Sequence, residues 1–585
     1  MALIEYGRTV RGIVRRALAA ALVAALGMIL MAGAAVAAER PTYRLQISGL
    51  ADKSATALFD ELSLLKKSNR SESFSELRYA IRRDVDTLTE ILRSFGYYGA
   101  RVSYQLDRSR RPFELRLLVT QGPQFRIESF TVTYLDAPED EAELHEAVKP
   151  LLLKPGTPAV ADRVVAAERA ILTRLPEIGH PGVRLRKRDI VVDHESAAMR
   201  VDLRIRAGPR RLFGPPRFSG ADDVRESFLA KLAPWEEGEL YDSRKVEELR
   251  RKLAETSLFT SIETTVADDD VDGTAPVEVQ LTQSLHRTYG FGANYASDEG
   301  FGVFASWEHR NFLHGGERFY VEGRVAEIEQ ALINRLEVPA FLRPDQRLIL
   351  DTRLAHEQPD AFTRWGADTS AIVEREISSV WTVQAGVTLE YANIRDVRGE
   401  RNYYLVGGVA GFRRDTTDNL FDPTRGTRLL YTLRPYIGEQ NGILQFLIND
   451  ATASAYWSLD DRSRYVAAAR LRLGSITGAG LLRLPADKRF YAGGGASIRG
   501  YRYQSAGPLD PEGTPIGGRS LMEAGVELRV KVTETIGVVP FLEAGKVSSG
   551  ALPDFDGDVF WGAGLGLRYY TSFAPIRLDV AIPLN

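Results

Sequence analysis

The sequence predicts an α+β front half built from small repeated units, followed by an all-β transmembrane barrel. Three observations carry this. A basic and then apolar N-terminus directs the chain to a secretory route. Three similar segments recur at a spacing of about 80 residues, which suits small linked domains better than solenoid turns. From about residue 285 the helical period gives way to period-two alternation in segments of about ten residues. Of the 585 residues 26% are charged, the net charge is −3 and there is no cysteine. Nothing in that balance points to nucleic acid. The lack of cysteine removes thiolate zinc sites, cysteine nucleophiles and disulfides.

At the N-terminus, Arg8, Arg11, Arg15 and Arg16 precede "ALAAALVAALGMILMAGAAVAA". The small-x-small pattern Ala35-Val36-Ala37 predicts signal peptidase cleavage after residue 37; an uncleaved anchor is the rival reading. No later stretch is apolar for long enough to cross a membrane as a helix, so a second crossing requires a barrel.

The repeat signals are "SFGYYGARVSYQLD" (94–107), "EIGHPGVRLRKRDIVVD" (177–193) and "ETSLFTSIETTV" (255–266). Each closes a unit that opens with a strand, expected at Tyr43–Ile47, Phe125–Tyr134 and Phe213–Ser219. An amphipathic helix precedes each signal. Val164, Ala167, Ile171 and Leu175 share one helical face, as do Val246, Leu249 and Leu253, with Asp242 or Ser243 as N-cap. Two further strands give β-α-α-β-β units spanning 41–122, 123–208 and 209–284. Sheets this small expose an edge that can accept an extended peptide by backbone pairing, although the units could also be plain spacers.

In the back half, Met522, Ala524, Val526, Leu528 and Val530 alternate with Glu523, Gly525, Glu527, Arg529 and Lys531. Leu348, Leu350 and Leu354 oppose Arg347, Asp351 and Arg353. Trp561, Leu565 and Leu567 oppose Phe560, glycines and Arg568. A soluble sandwich also alternates, but long strands with one lipid-compatible face and charges on the other predict a barrel over 285–585. Eleven strands precede a glycine-rich segment at 475–519 and four follow it. That total of fifteen is odd where single-chain barrels have even numbers. Either a strand is miscounted or the last one is absent from this sequence.

The segment "FYAGGGASIRGYRYQS" (490–505) has the look of a catalytic glycine loop, but its spacing rules this out. It lacks G-x-S-x-G, no P-loop surrounds Gly545-Lys546, and it opens no helix. The seven histidines are scattered, and the acids at 268–270 read as a solvated turn, so neither catalysis nor a metal or cofactor is expected. Gly493, Gly494 and Gly495 allow tight folding, and Gly500 a sharp turn beside Arg499. If the loop folds into the lumen, Arg499 needs an anionic partner, with Glu523, Glu527 and Glu543 on offer. An outward loop with an exposed arginine is the alternative.

"GGGASIRGY", comprising Gly493, Gly494, Gly495, Ile498, Arg499, Gly500 and Tyr501, resembles the V/I-R-G-F/Y loop motif of the outer-membrane protein assembly superfamily. "RRDTTDNLFDPTRGTRL" (413–429), with Asp415, Asp422, Pro423 and Gly426, resembles a second family block. "FLEAGKV", with Phe541 and Gly545, resembles the F-x-D-x-G strand motif. The closing segment, with Arg577 and Asp579, resembles the final block, and the front units resemble POTRA domains. Three such units are similar to the TamA branch, whereas BamA has five and two-partner secretion pores have two. The resemblance implies a sixteen-stranded barrel in the outer membrane with POTRA domains in the periplasm. It implies that Arg499 packs against Glu543, which replaces the usual aspartate, and that the loop plugs the lumen. The first strand, near Arg287–Ala296, would border a seam that opens for clients. The implied role is insertion of autotransporters and other barrels, with unfolded clients, outer-membrane lipid and a TamB-like inner-membrane protein as partners. A two-partner-secretion export pore or a passive channel is the alternative.

Overall fold

The computed structural model describes residues 41–266, 273–296, 300–554, 557–571 and 575–585. The expected signal peptide (1–37) and the acidic turn at 268–270 lie outside them. The backbone clusters into two compact units, one running to Phe213 with two short later segments, the other holding the remainder.

The first unit contains two three-stranded sheets. β1 (Tyr43–Ser48), β2 (Arg101–Asp107) and β3 (Phe113–Thr120) order as β1-β3-β2, with β1 parallel and β2 antiparallel to β3. β4 (Arg126–Tyr134), β5 (Arg184–Asp193) and β6 (Ala198–Arg206) repeat this arrangement as β4-β6-β5. Over the first sheet lies the helix Phe74–Ser94, burying Leu77, Ile81, Leu88 and Leu92. Over the second lies Ala161–Arg174, whose Val164, Ala167 and Ile171 are buried as the 3.6 period requires.

One buried charge organises the first sheet's cover. Asp84, wholly buried, accepts hydrogen bonds from the Leu64 and Leu65 amides at 2.9 and 3.1 Å and from the Ser63 hydroxyl. Those amides begin the short helix Leu64–Lys67 and have no partner inside it, so a carboxylate suits the spot.

The third repeat is divided between the two units. β7 (Leu212–Phe213) pairs with β10 (Thr274–Ala275). β8 (Arg217–Ser219), β9 (Phe259–Val266) and β11 (Val277–Gln283) form a sheet ordered β8-β11-β9, under the helix Ser243–Glu255 with Val246, Leu249 and Leu253 buried. The expected continuous strand Phe213–Ser219 is therefore corrected. Pro215 and Pro216 offer no N–H to a ladder, and the strand breaks there. The repeat signals themselves are helix stops. Gly96, Gly179 and Ser257 all follow a helix with φ of +90°, +106° and +56°, the left-handed geometry that ends a helical turn.

Among the described residues the back half is one fifteen-stranded antiparallel sheet in sequential order, one strand fewer than the sixteen that the resemblance implies. Its strands are β12 (Arg287–Ala296), β13 (Gly300–Arg310), β14 (Arg318–Ala326), β15 (Glu329–Val338) and β16 (Gln346–Glu357). Next come β17 (Thr363–Glu376), β18 (Trp381–Asp396), β19 (Gly399–Asp415), β20 (Gly426–Glu439) and β21 (Ile443–Ser458). β22 (Tyr465–Thr477), β23 (Ser520–Lys531), β24 (Ile536–Ser548), β25 (Phe560–Tyr570) and β26 (Pro575–Pro583) complete it. Eleven strands precede the long connection and four follow, as counted from the alternation, and that connection narrows to residues 478–519. One face carries exposed apolar residues such as Val526, Leu528, Leu565 and Leu567, while Glu523 and Arg568 on the other are buried. An apolar outside around a charged inside is the pattern of a barrel in lipid.

The third repeat grips this sheet at its second turn, between β13 and β14. Arg225 donates to the Leu313 carbonyl at 2.7 Å and to Glu317 at 3.0 Å, and Asn311 donates to the Asp223 carbonyl at 2.7 Å. The β13–β14 turn, and by alternation the β19–β20 turn, therefore lie at the end of the barrel that Asp223 and Arg225 contact.

Replacing Asp84 by Ala should strand the buried Leu65 amide and the partly buried Leu64 amide, at about 1–3 kcal/mol for the lost partner. Hydrogen exchange at Leu64 and Leu65 should accelerate, while exchange in the fifteen-stranded sheet stays unchanged.

Candidate functional site

The segment 478–519 folds into the barrel. Its Ile498 side chain is fully buried against Gly545, where an added Cβ would stand 2.7 Å from Ile498 Cδ1. A larger residue at 545 would displace the loop. Gly493, Gly494 and Gly500 have φ of +102°, +98° and +104°, which glycine adopts freely. Gly500 also lies against the Ile582–Pro583 backbone, with an added Cβ at 2.7 Å. Gly495 departs from expectation: its φ is not left-handed and its Cβ position is open space, so the third glycine is not sterically required.

Arg499 is surrounded by acids. Its Nε and Nη2 donate to Glu543 Oε1 at 2.9 and 2.5 Å, Nη2 to Glu527 at 2.9 Å, and Nη1 to Asp579 at 2.9 Å. The Arg499 amide donates to the other Glu543 oxygen at 2.8 Å, so one carboxylate holds both side chain and backbone. The longer glutamate side chain thus reaches the arginine without displacing it. Phe541 lies beneath the guanidinium, 3.5 Å from ring centroid to Cζ, adding a cation–π contact. Glu523, the third acid named from sequence, accepts instead from the Ser497 hydroxyl and lies 3.7 Å from Arg472. Tyr501 donates to the carbonyls of Asn585 and Trp561 at 2.6 and 3.2 Å.

The other motif residues collect nearby. Arg577, two residues from Asp579, donates to the Phe421 carbonyl at 3.3 Å. Asp422 lies 3.7 Å from Arg529 and 3.4 Å from Lys531, and the Pro423 carbonyl accepts from Arg529 at 3.4 Å. Asp415 holds Thr417 and Arg428 at 2.6 and 2.7 Å. Gly426, with φ of +101°, is forced by the Thr416 carbonyl, which lies 2.2 Å from where its Cβ would be.

Sequence reasoning missed the loop's other anchor, the run Asp487-Lys488-Arg489. Arg489 is almost fully buried and donates to Asp396 at 2.9 Å and to the Leu484 and Ile516 carbonyls at 2.9 and 3.1 Å. Lys488 pairs with Glu390, which also accepts from Tyr436 at 2.9 Å. Asp487 lies 3.1 Å from Arg364, itself paired with Asp368 and Glu357. Three consecutive side chains thus meet three partners on β17 and β18. The one available signal was a charged run between the apolar Leu484 and Phe490, which reads equally well as a solvated turn.

The loop therefore spans the lumen. Its two anchors, on β18 and β26, are eight strands apart, roughly 38 Å along the wall at about 4.8 Å per strand. Arg489 and Arg499 are ten residues apart, at most about 36 Å when fully extended, so the loop joins its anchors as a chord across a curled sheet.

Replacing Arg489 by Leu should leave Asp396 buried with less compensation and cost about 3 kcal/mol. The partly hydrated Arg499 site should lose less on Arg499→Ala. Both should lower the temperature at which the barrel loses its heat-resistant electrophoretic mobility, with Arg489→Leu the larger effect.

Residues 311–585 match the Omp85 superfamily domain, and residues 44–121 match the POTRA domain described as TamA domain 1. The outer membrane protein assembly factor BamA of Nitratidesulfovibrio vulgaris is 25% identical over 384 residues, covering 63% of this chain and 48% of the relative. BamA of Neisseria meningitidis serogroup B is 20% identical over 586 residues, covering 88% of this chain and 72% of the relative. This chain thus spans about half the length of the first relative. The crystal structure of Haemophilus ducreyi BamA lacking POTRA domains 1–3 superposes with a TM-score of 0.65 at 17% identity, covering 79% of this chain and 96% of that one, a likeness of fold. Residues 311–585 are thus similar to the Omp85 superfamily domain, and residues 44–121 to the TamA-type POTRA domain, the pairing of an outer-membrane barrel with a periplasmic domain.

Proposed function

We propose that this chain is an outer-membrane assembly factor that helps to insert and translocate autotransporters and other β-barrel proteins, together with a TamB-like inner-membrane partner. The observation that carries the reading is the braced lumen. A loop tied to opposite walls suits a protein whose clients fold beside the barrel wall rather than one that passes solutes. The assembly-factor relatives support the same reading.

Wall height adds to it. β12 to β15 have 9–11 residues, whereas β18, β19 and β21 have 16 or 17. At about 3.4 Å per residue and a tilt of about 45°, the wall beside β12 is lower by roughly 15 Å. Lipid thins to meet a short wall, and thinner lipid lowers the barrier to strand insertion at modest cost. The repeat sheets offer edge strands (β2, β5 and β9) whose unpaired backbone suits sequence-neutral capture of an unfolded client in the periplasm. On this reading no bond is made or broken and no cofactor takes part.

Proteoliposomes carrying the chain should fold a urea-unfolded autotransporter barrel into its protease-resistant membrane form faster than empty liposomes do. Arg499→Ala should slow that folding and lower heat-resistant mobility together. Release of a soluble partner across the bilayer would favour an export pore, and a large steady planar-bilayer conductance would favour a passive channel.

A further inference from the structure

We infer that the turn between β19 and β20, residues 416–425, is a second closure of the lumen, a gate on the periplasmic side latched by Asp422. The inference stands on geometry alone and goes beyond the assembly role proposed above. The turn lies at the end of the barrel gripped by the third repeat, opposite the entry of the 478–519 loop. Besides contacts with its flanking strands, such as Arg428 donating to Thr417 at 3.2 Å, it reaches strands well beyond them. Asp422 reaches Arg529 and Lys531 on β23, and the Phe421 carbonyl reaches Arg577 on β26. β26 is six strands from β20, roughly 29 Å along the wall at about 4.8 Å per strand. A ten-residue turn makes both contacts only by crossing beneath the lumen.

The turn is preorganised for this. Asp418 accepts from the Thr424 and Arg425 amides at 2.8 and 3.1 Å, and Asn419 accepts from the Phe421 and Asp422 amides at 2.8 and 2.9 Å. These four bonds hold the turn's backbone in one conformation. Its latch is weaker than the loop's anchors. The ion pairs of Asp422 are 3.4 and 3.7 Å long and partly exposed, so salt screens them, whereas the buried Arg489–Asp396 pair is protected. The two closures therefore differ in how readily they open. Between them lies a cavity of about 240 Å³, bordered by Arg499 of the loop, by Arg529 and Arg577 that hold the turn, and by Ser454 on the wall.

Because the native chain has no cysteine, Ser454→Cys provides a single reporter inside that cavity. The full chain in lipid nanodiscs would be exposed to a charged, membrane-impermeant maleimide. Adding Asp422→Asn should speed labelling of the reporter roughly tenfold, the scale expected for losing two partly exposed ion pairs. Raising the salt concentration provides an arm without the latch mutation. It should speed labelling of the Ser454→Cys protein and leave the Asp422→Asn, Ser454→Cys protein unchanged. Equal rates with and without Asp422→Asn, or a salt response that persists without Asp422, would overturn the inference.

Discussion

A guanidinium inside a protein-walled lumen has to be neutralised, and the fifteen-stranded half of this molecule is arranged around that requirement. With lipid outside, every outward position on the strands favours an apolar side chain, so the charges of the alternating pattern collect within. They are tolerable there only as pairs. Arg499 shows the outcome, held by Glu543, Glu527 and Asp579 from three different strands. One cation shared among three strands also fixes those strands relative to one another, so neutralising the lumen and shaping the wall are the same event.

The remaining lumen contacts divide by burial. At the far anchor, Asp396 and Arg489 are nearly inaccessible, and removing either member is far more destructive than the pair's net contribution to stability would suggest. At the periplasmic turn the pairs are longer and wetter, and their contribution is correspondingly small. The lumen thus has one firm crossbeam and one lightly held floor. Both end on β26, at Asp579 and Arg577, two residues apart on the same face. The inner face of that strand is consequently tied to both.

The sequence was most legible where a single period controls the outcome. Alternation gave the count of fifteen strands and the division of eleven and four, because each strand keeps one face to lipid and the other to the lumen. Helical faces such as Val164, Ala167 and Ile171 followed for the same reason. Local backbone chemistry was read less well. Phe213–Ser219 carries a strand's composition, yet two prolines end its ladder, and Gly495 looked like its neighbours although nothing crowds it. Long-range ion pairing was the least legible. Asp487-Lys488-Arg489 is an ordinary polar run until a curled sheet brings Arg364, Glu390 and Asp396 to it from about a hundred residues away. The 413–429 block stood out through its motif, but only the three-dimensional path sends Asp422 across to β23.

The central claim is that the 478–519 loop fixes opposite walls of the barrel at a set separation. The most direct measurement is a pulsed electron-spin distance between labels on Leu389→Cys of β18 and Leu578→Cys of β26, two outward, exposed positions on the strands that the loop joins. The account predicts one narrow distance distribution in the otherwise native chain, and a broad one when Arg489 and Arg499 are both replaced by alanine. A distribution equally narrow in both proteins would show that the wall holds its shape without the loop, and would contradict the account.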